Sequence, residues 1–146
     1  MKNKVYEKVL FLCTGNSCRS QIAEGIAHHI FNSKYHIESA GIEPYGVNQR
    51  AIDTLKEVGI DISDYKSKII DSNKLNQFDL IITLCGDAKD KCPILDKEIK
   101  HIHWNLKDPA KFQGTDLEIK SYFRNSRDLI LNKIKELKSN LEKGNL

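Results

Sequence analysis

A short apolar segment near the start of the chain limits the possible folds more than any other feature of the sequence. Residues 9–12 read Val-Leu-Phe-Leu, and a loop that contains Gly15 and Asn16 follows them. Because the apolarity is continuous rather than alternating, this segment predicts a strand buried on both faces, as in a parallel sheet. From Ser20 onward the apolar residues recur at steps of three and four, which is the period of a helix. The residues that carry this period are Ile22, Ala23, Ile26, Ala27 and Ile30.

Strand and helix patterns alternate along the rest of the chain. Strands are predicted over residues 35–40, 78–84 and, more weakly, 99–106, and a helix over 47–58 with Gly59 as its C-terminal cap. A long C-terminal helix has an apolar face formed by Ile119, Phe123, Ile130, Ile134, Leu137 and Leu141. Such alternation indicates a parallel sheet with helices on both faces. We therefore predict an α/β fold in which residues 1–146 form a single domain around an open, parallel, four-stranded sheet.

Composition and charge favour some classes of protein and argue against others. With 40% hydrophobic and 29% charged residues, the chain has the composition of a globular protein. Its formal charge of +3 is too small to indicate a nucleic-acid partner. The apolar stretch at residues 9–12 is too short for a signal peptide, and no stretch approaches the ~18 apolar residues of a membrane span. We therefore expect a cytoplasmic protein without a membrane partner.

The four cysteines form two pairs in the sequence, Cys13 with Cys18 and Cys85 with Cys92. In a reducing compartment, such cysteines are more often catalytic, metal-binding or simply buried than joined in structural disulfides. Six residues separate Cys85 from Cys92, which is outside the usual spacing of zinc ligands. Catalysis or burial is therefore the favoured interpretation.

The loop at residues 13–20 has the pattern of an oxyanion-binding cradle. Gly15 and Asn16 tolerate the backbone angles that turn successive N–H groups inward. The positive N-terminal end of the following helix and the planar fork of Arg19 both suit a tetrahedral anion. The candidate oxyanion-binding residues are Thr14, Gly15, Asn16, Ser17, Cys18, Arg19 and Ser20.

Cys13 is the candidate nucleophile of this loop. The adjacent helix N-terminus and Arg19 favour the thiolate, and Ser20 could donate a hydrogen bond to its sulfur. Cys18 is expected to be a small packing residue. Cys85 and Asp108 each follow a predicted strand, and the carboxyl ends of parallel strands meet at one rim of a sheet. We therefore expect both to lie near Cys13.

The segment at residues 13–24, Cys-Thr-Gly-Asn-Ser-Cys-Arg-Ser-Gln-Ile-Ala-Glu, resembles the signature loop of the low-molecular-weight tyrosine phosphatases and of their relatives, the thioredoxin-coupled arsenate reductases. The similarity to the reductase branch covers most of the chain. It extends through Ser39-Ala40-Gly41-Ile42, Gly46-Val47-Asn48, Thr83-Leu84-Cys85 and Asp108-Pro109-Ala110.

The resemblance implies an enzyme that reduces arsenate to arsenite by a relay of three cysteines. In that relay Cys13 attacks arsenate while Asp108 protonates the departing oxygen, and Cys85 then attacks Cys13 and releases arsenite. Cys92 next attacks Cys85, and thioredoxin reduces the resulting Cys85–Cys92 disulfide. Phosphate and sulfate are expected to compete with arsenate. We expect a monomer that uses no cofactor.

The alternative is a tyrosine phosphatase, for which Cys13, Arg19 and Asp108 would suffice. A phosphatase has no use for Cys85 and Cys92. In the phosphatase branch aromatic residues typically follow the Asp-Pro pair and line the pocket, whereas Ala110 and Lys111 follow here. We therefore expect a site without an aromatic wall, suited to a small inorganic anion. A noncatalytic oxyanion-binding module is a third possibility, and it predicts binding without thiol oxidation.

The spacing of Cys85 and Cys92 adds a constraint on the relay. In one straight helix the two residues would lie about 10 Å apart, at ~1.5 Å of rise per residue. A disulfide needs Cα atoms within roughly 7 Å of each other. The segment is therefore expected to bend or partly unfold when the second disulfide forms.

The resemblance also bears on metal binding. Asn16, Glu24 and Ser39 match positions that some reductases of this family use to hold a potassium ion. A further acidic ligand is expected near residues 67–69, and Lys68 stands there instead. We therefore predict no bound metal.

Overall fold

The computed structural model describes residues 5–43, 45–86 and 98–146. Within these ranges the strands are β1 (Lys8–Cys13), β2 (His36–Gly41), β3 (Leu80–Thr83) and β4 (Lys100–His103). The α-helices are α1 (Arg19–Ile30), α2 (Gln49–Lys56) and α3 (Asp116–Lys143). Two short 3₁₀ helices cover Leu75–Gln77 and Pro109–Lys111.

The four strands form one sheet in the order β2-β1-β3-β4, and every pairing is parallel. β1 lies inside the sheet, and its apolar residues are almost completely buried, with Phe11 at 0% and Leu12 at 2% exposure. The prediction of a strand covered on both faces is therefore confirmed, as are the α/β class and the four-stranded parallel sheet. All four strands direct their carboxyl ends toward one edge.

The described α-helices pack together beside the sheet. The three α-helices contact one another, and α1 packs on β1 and β2. Neighbouring residues of a strand point to opposite faces. Ser39 of β2 accordingly points toward α1, where it donates a hydrogen bond to Glu24 at 2.6 Å. The described α-helices thus pack against one another and, through α1, against the sheet.

Three predicted elements are shorter in the structure. The strand predicted over residues 78–84 covers Leu80–Thr83. The strand expected over residues 99–106 ends at His103, because its partner β3 ends at Thr83, whose carbonyl accepts the N–H of Trp104 at 2.9 Å. The second helix begins at Gln49 rather than at residue 47, because the side chain of Asn48 caps the N–H of Arg50 at 2.8 Å.

Helix ends account for the remaining boundaries. Gly59 has a left-handed φ of +81°, and the N–H of Ile60 donates to the carbonyl of Leu55 at 3.0 Å, so the predicted cap is confirmed. α3 begins at Asp116, before Ile119, the first residue of its predicted apolar face, because Thr115 and Glu118 form a capping box. Among the described helices, none has the length and apolarity needed to cross a membrane.

An exposed ion-pair network fastens α2 to α3. Glu57, which follows α2, accepts hydrogen bonds from Arg124 at 2.6 Å and from Arg127 at 3.0 Å, both in α3. The hydrogen bond from Arg124 is the main reason that the pKa of Glu57 is lowered from 4.5 to about 2. Burial opposes this shift as the second-largest effect, and the charge of Arg124 together with the hydrogen bond and charge of Arg127 outweighs it.

We expect Glu57→Gln to lower the free energy of unfolding at neutral pH by ~1 kcal/mol, the upper range for exposed ion pairs. The folded pKa lies below the unfolded one, so the carboxylate stabilises the fold fully above pH 4.5 and loses this effect as the pH falls toward about 2. Urea denaturation of both proteins across this range measures the difference, which should shrink with falling pH.

The matched control is Glu142→Gln, which removes a single exposed pair between Glu142 and Lys138 within α3. It should change the free energy of unfolding less than Glu57→Gln. Equal effects of the two substitutions, or a difference that does not vary with pH, would show that the network does not fasten the two helices.

Candidate active site

The loop between β1 and α1 has its carbonyl groups turned outward. Those of Thr14, Gly15, Asn16 and Ser17 each accept a hydrogen bond from a residue outside the loop. The donors are, in that order, Ile42 at 2.7 Å, Tyr45 at 3.1 Å, the hydroxyl of Ser67 at 2.8 Å and Asn48 at 2.9 Å. Since opposite sides of a peptide carry C=O and N–H, this arrangement directs N–H groups toward the inside of the loop. Such an array of inward N–H groups is a binding site for anions.

Asn16 fixes the shape of this loop. It is fully buried and has a positive φ of 47°, a conformation that Asn tolerates better than most residues. Its side-chain carbonyl accepts the N–H of Lys68 at 2.8 Å. The loop also passes so close to β2 that a Cβ on Gly41 would lie 2.5 Å from the nitrogen of Asn16. Gly41 therefore has to be a glycine for the loop to take this path.

Cys13 lies at the end of β1 and is 2% exposed. Its Sγ is 2.8 Å from the Oγ of Ser20, as the sequence predicts. Asn16 donates to the same Oγ at 2.8 Å. Because that hydrogen bond already uses Ser20 as an acceptor, the hydroxyl hydrogen of Ser20 is left to donate to the sulfur. The sulfur of Cys13 thus accepts a hydrogen bond from Ser20.

Arg19 reaches over the loop from the start of α1 and is 8% exposed. Its Nη1 donates to the carbonyl of Leu106 at 2.9 Å, and its Nη2 lies 3.6 Å from Oδ2 of Asp108. Within the described residues its buried Nε has no hydrogen-bond partner. Because an unpaired buried donor is costly, this N–H indicates a place where a bound anion would supply the acceptor.

The predicted cradle residues surround one cavity of about 220 Å³. Its lining includes Cys13, Thr14, Gly15, Ser17, Cys18, Arg19 and Asp108. Asp108 is held at its edge by the N–H of Ala110, which donates to Oδ1 at 3.0 Å. Asn16 and Ser20 support the cradle from behind.

Cys18 stands at the N-terminal end of α1, and no side chain of the described residues caps that end. Burial raises the pKa of the Cys18 thiol, and the negative charges of Asp108 and Cys13 raise it further. A thiol in this environment stays protonated and unreactive. Its position agrees with the predicted packing role.

Cys85 lies just beyond β3 and is 6% exposed. Its Sγ is 3.1 Å from Oγ1 of Thr14, so a second thiol contacts the cradle itself. Cys85 lines a larger cavity of about 540 Å³ together with Thr14, Arg19 and Asp108. The structure thus brings four predicted residues to one rim. Cys92 and the expected bend between Cys85 and Cys92 lie outside the described residues.

The expectation of a site without aromatic walls is wrong. Tyr45 lines the cradle cavity, and its ring packs so closely on Gly15 that a Cβ there would lie 2.2 Å from a ring atom. Phe112 stacks on Tyr122 with ring centroids 4.4 Å apart, and both line the larger cavity. The two residues directly after Pro109, Ala110 and Lys111, are not aromatic and give no sign of these rings. Phe112, one position further, is a sequence signal for an aromatic wall, whereas Tyr122 comes from α3, distant in the chain.

The chain matches known proteins along almost its whole length. The Low molecular weight phosphotyrosine protein phosphatase family matches residues 8–145. The arsenate reductase of Bacillus subtilis (strain 168) is 52% identical over 136 residues, which are 93% of this chain and 96% of that protein.

Two solved structures are similar in fold. A structure described as an arsenate reductase in the phosphate binding state has a TM-score of 0.74 and 34% identity, with 92% of this chain and 98% of that chain covered. A thioredoxin-dependent arsenate reductase of Corynebacterium glutamicum has a TM-score of 0.76 and 26% identity, and it matches 97% of this chain, which spans 64% of that longer one. The cradle, the fold and these similarities together show that the chain belongs to the low molecular weight phosphotyrosine protein phosphatase family.

Proposed function

We propose that this protein reduces arsenate to arsenite, with electrons supplied by Cys13, Cys85 and Cys92. The observation that carries the proposal is the buried thiol of Cys85, 3.1 Å from the hydroxyl of Thr14 at the rim of the cradle. Hydrolysis of a phosphate ester needs one thiolate, a cradle and an acid, and it has no use for this second thiol. The 52% identity to the arsenate reductase of Bacillus subtilis supports the same conclusion.

In the first step the cradle binds arsenate, which has the shape and charge of phosphate. The inward N–H groups and Arg19 hold three of its oxygens, and the fourth faces Asp108. The Cys13 thiolate attacks arsenic and forms an S–As bond. Asp108 passes a proton to the departing hydroxyl group, which leaves as water.

In the second step the thiolate of Cys85 attacks the sulfur of Cys13. The S–As bond breaks and its electron pair stays with arsenic, so arsenic is reduced and arsenite leaves. A Cys13–Cys85 disulfide remains. The two electrons that arsenic gains are those that the two sulfurs lose.

In the third step Cys92 attacks Cys85, which frees Cys13 as a thiolate and leaves a Cys85–Cys92 disulfide. We propose that the dithiol of thioredoxin reduces this bond and completes the cycle. This relay calls for no bound cofactor. A monomer working in the cytoplasm remains our prediction for the state and place of the enzyme.

Phosphatase activity is the second candidate, and the aromatic residues around the site favour it. Tyr45 and the stacked pair of Phe112 and Tyr122 could contact the ring of an aryl phosphate. The cradle is the same for both reactions. The two reactions therefore differ in that reduction requires Cys85 and Cys92 and hydrolysis does not.

We expect Cys13 to be the fastest of the four thiols to react with iodoacetamide in reduced protein, because Ser20 and the helix N-terminus stabilise its thiolate. Inorganic phosphate should slow this reaction by filling the cradle. Peptide mapping after brief labelling identifies the modified cysteine. Sulfate serves as a second protecting anion, and labelling of Cys18 first, or no protection by either anion, would contradict the assignment of the cradle.

We expect Cys85→Ser and Cys92→Ser to abolish multiple-turnover reduction of arsenate in the presence of thioredoxin and its reductase. Both variants should keep any slow hydrolysis of p-nitrophenyl phosphate, because the cradle and Asp108 are unchanged. Cys13→Ser should lose both activities. Hydrolysis that falls equally in all three folded variants, or reduction that continues without Cys85, would refute the division of roles.

We expect Thr14→Val to slow arsenite release in a single turnover by up to about tenfold, the cost of one hydrogen bond. The substitution removes the hydroxyl that contacts Cys85 but leaves the backbone of the cradle unchanged. Phosphate protection of Cys13 should therefore not change, and the matched control Thr14→Ser should react like the original protein. An unchanged rate of arsenite release in Thr14→Val would show that this contact does not assist Cys85.

A further inference from the structure

A line of buried polar side chains runs from Cys13 through Ser20, Asn16 and Ser39 to Glu24, one helical turn beyond Ser20 on the same face of α1. The amide nitrogen of Asn16 donates both of its hydrogens, one to Ser20 at 2.8 Å and one to Ser39 at 2.9 Å. Each hydroxyl therefore keeps its own hydrogen to donate onward. Ser20 directs its hydrogen to Cys13, and Ser39 donates to Oε1 of Glu24 at 2.6 Å.

Glu24 ends this line as a carboxylate that is 7% exposed. The ammonium of Lys68 lies 3.8 Å from its Oε1, and the ring nitrogen of His28 lies 3.3 Å from its Oε2. The backbone N–H of Lys68 also donates to Asn16 at 2.8 Å. Lys68 thus hydrogen bonds to Asn16 in the middle of the line and forms an ion pair with Glu24 at its end.

The residues at this place do not fit the potassium ion that some members of the family hold there. Asn16, Glu24 and Ser39 are present, but Lys68 replaces the expected acidic ligand with a positive charge. The carbonyl oxygen of the Asn16 side chain already accepts hydrogen bonds from Lys68 and Gln21.

We propose that Lys68 is a positioning residue that replaces the alkali-metal ion with its own ammonium group and so keeps Ser20 directed at Cys13. The charge on Glu24 holds the hydroxyl of Ser39 in one direction. With its hydrogen committed to Glu24, Ser39 can only accept from Asn16, and Asn16 keeps its second hydrogen on Ser20. Because Lys68 supplies the positive charge beside the Glu24 carboxylate, this arrangement of hydrogen bonds does not depend on cations from the solution.

The proposal rests on Cys13 as the nucleophile and not on arsenate as the substrate. Its test can therefore use the thiol reaction and thermal stability, neither of which needs arsenate. If the arsenate experiments contradict the proposed function, the proposal for Lys68 can still be tested by these readouts. If these readouts contradict the proposal for Lys68, the three-cysteine relay is not affected.

The test compares Lys68→Met, Lys68→Arg and Lys68→Asp in potassium chloride and in tetramethylammonium chloride at equal ionic strength. The readouts are the rate of Cys13 alkylation by iodoacetamide at one fixed pH and the melting temperature. The side chain of Lys68 is 46% exposed, so its replacement leaves the core intact. Lys74→Met is the matched control, because it removes the same charge from an exposed lysine nearby.

We expect the original protein and Lys74→Met to behave alike in both salts. Lys68→Met should alkylate about tenfold more slowly, the size expected for a weakened hydrogen bond to a charged group, and Lys68→Arg should restore most of the rate. Lys68→Asp should react faster and melt higher in potassium chloride than in tetramethylammonium chloride. An unchanged rate in Lys68→Met, or a potassium response in the original protein as large as that of Lys68→Asp, would overturn the proposal.

Discussion

The geometry of the whole site depends on the hydrogen bonds of Asn16. Its positive φ turns the chain between β1 and α1, and its side chain bonds to both Ser20 and Ser39. Its main-chain carbonyl accepts from Ser67 at 2.8 Å. Three separate parts of the chain therefore hold one buried residue. Because the loop is fixed in this way, its N–H groups face inward before any anion binds, and no binding energy is spent on ordering them.

A cradle of this kind binds tetrahedral oxyanions but does not determine which reaction follows. The reaction depends on the groups at the rim, which come from different strands of the parallel sheet. β1 ends at Cys13, β3 ends two residues before Cys85, and the loop after β4 supplies Asp108. A phosphorus centre in this site can only exchange its oxygens, whereas arsenic can also accept two electrons. In the relay we propose, the thiol of Cys85 beside Thr14 takes no part in hydrolysis of a phosphate ester but serves as a reductant of arsenate.

The sequence predicts those features that depend on neighbouring residues. Three features follow from a local pattern, and the structure confirms them: the buried strand at residues 9–12, the contact between Cys13 and Ser20, and the left-handed Gly59 just after α2. The gathering of Cys85 and Asp108 near the cradle is also predicted, but other features that depend on distant contacts are missed. β4 ends early because its partner β3 ends at Thr83, and Tyr122 reaches the site from α3. The contact of Thr14 with Cys85 belongs to this second group, since only the pairing of β1 with β3 brings the two residues together.

The most direct test of the central claim is mass spectrometry of the disulfides after a single turnover of arsenate without thioredoxin. The proposed relay predicts one Cys85–Cys92 disulfide and a free Cys13 for each arsenite formed, and a Cys13–Cys85 disulfide in Cys92→Ser. Formation of arsenite with Cys85 still reduced, or with a disulfide between Cys13 and Cys18 instead, would contradict it.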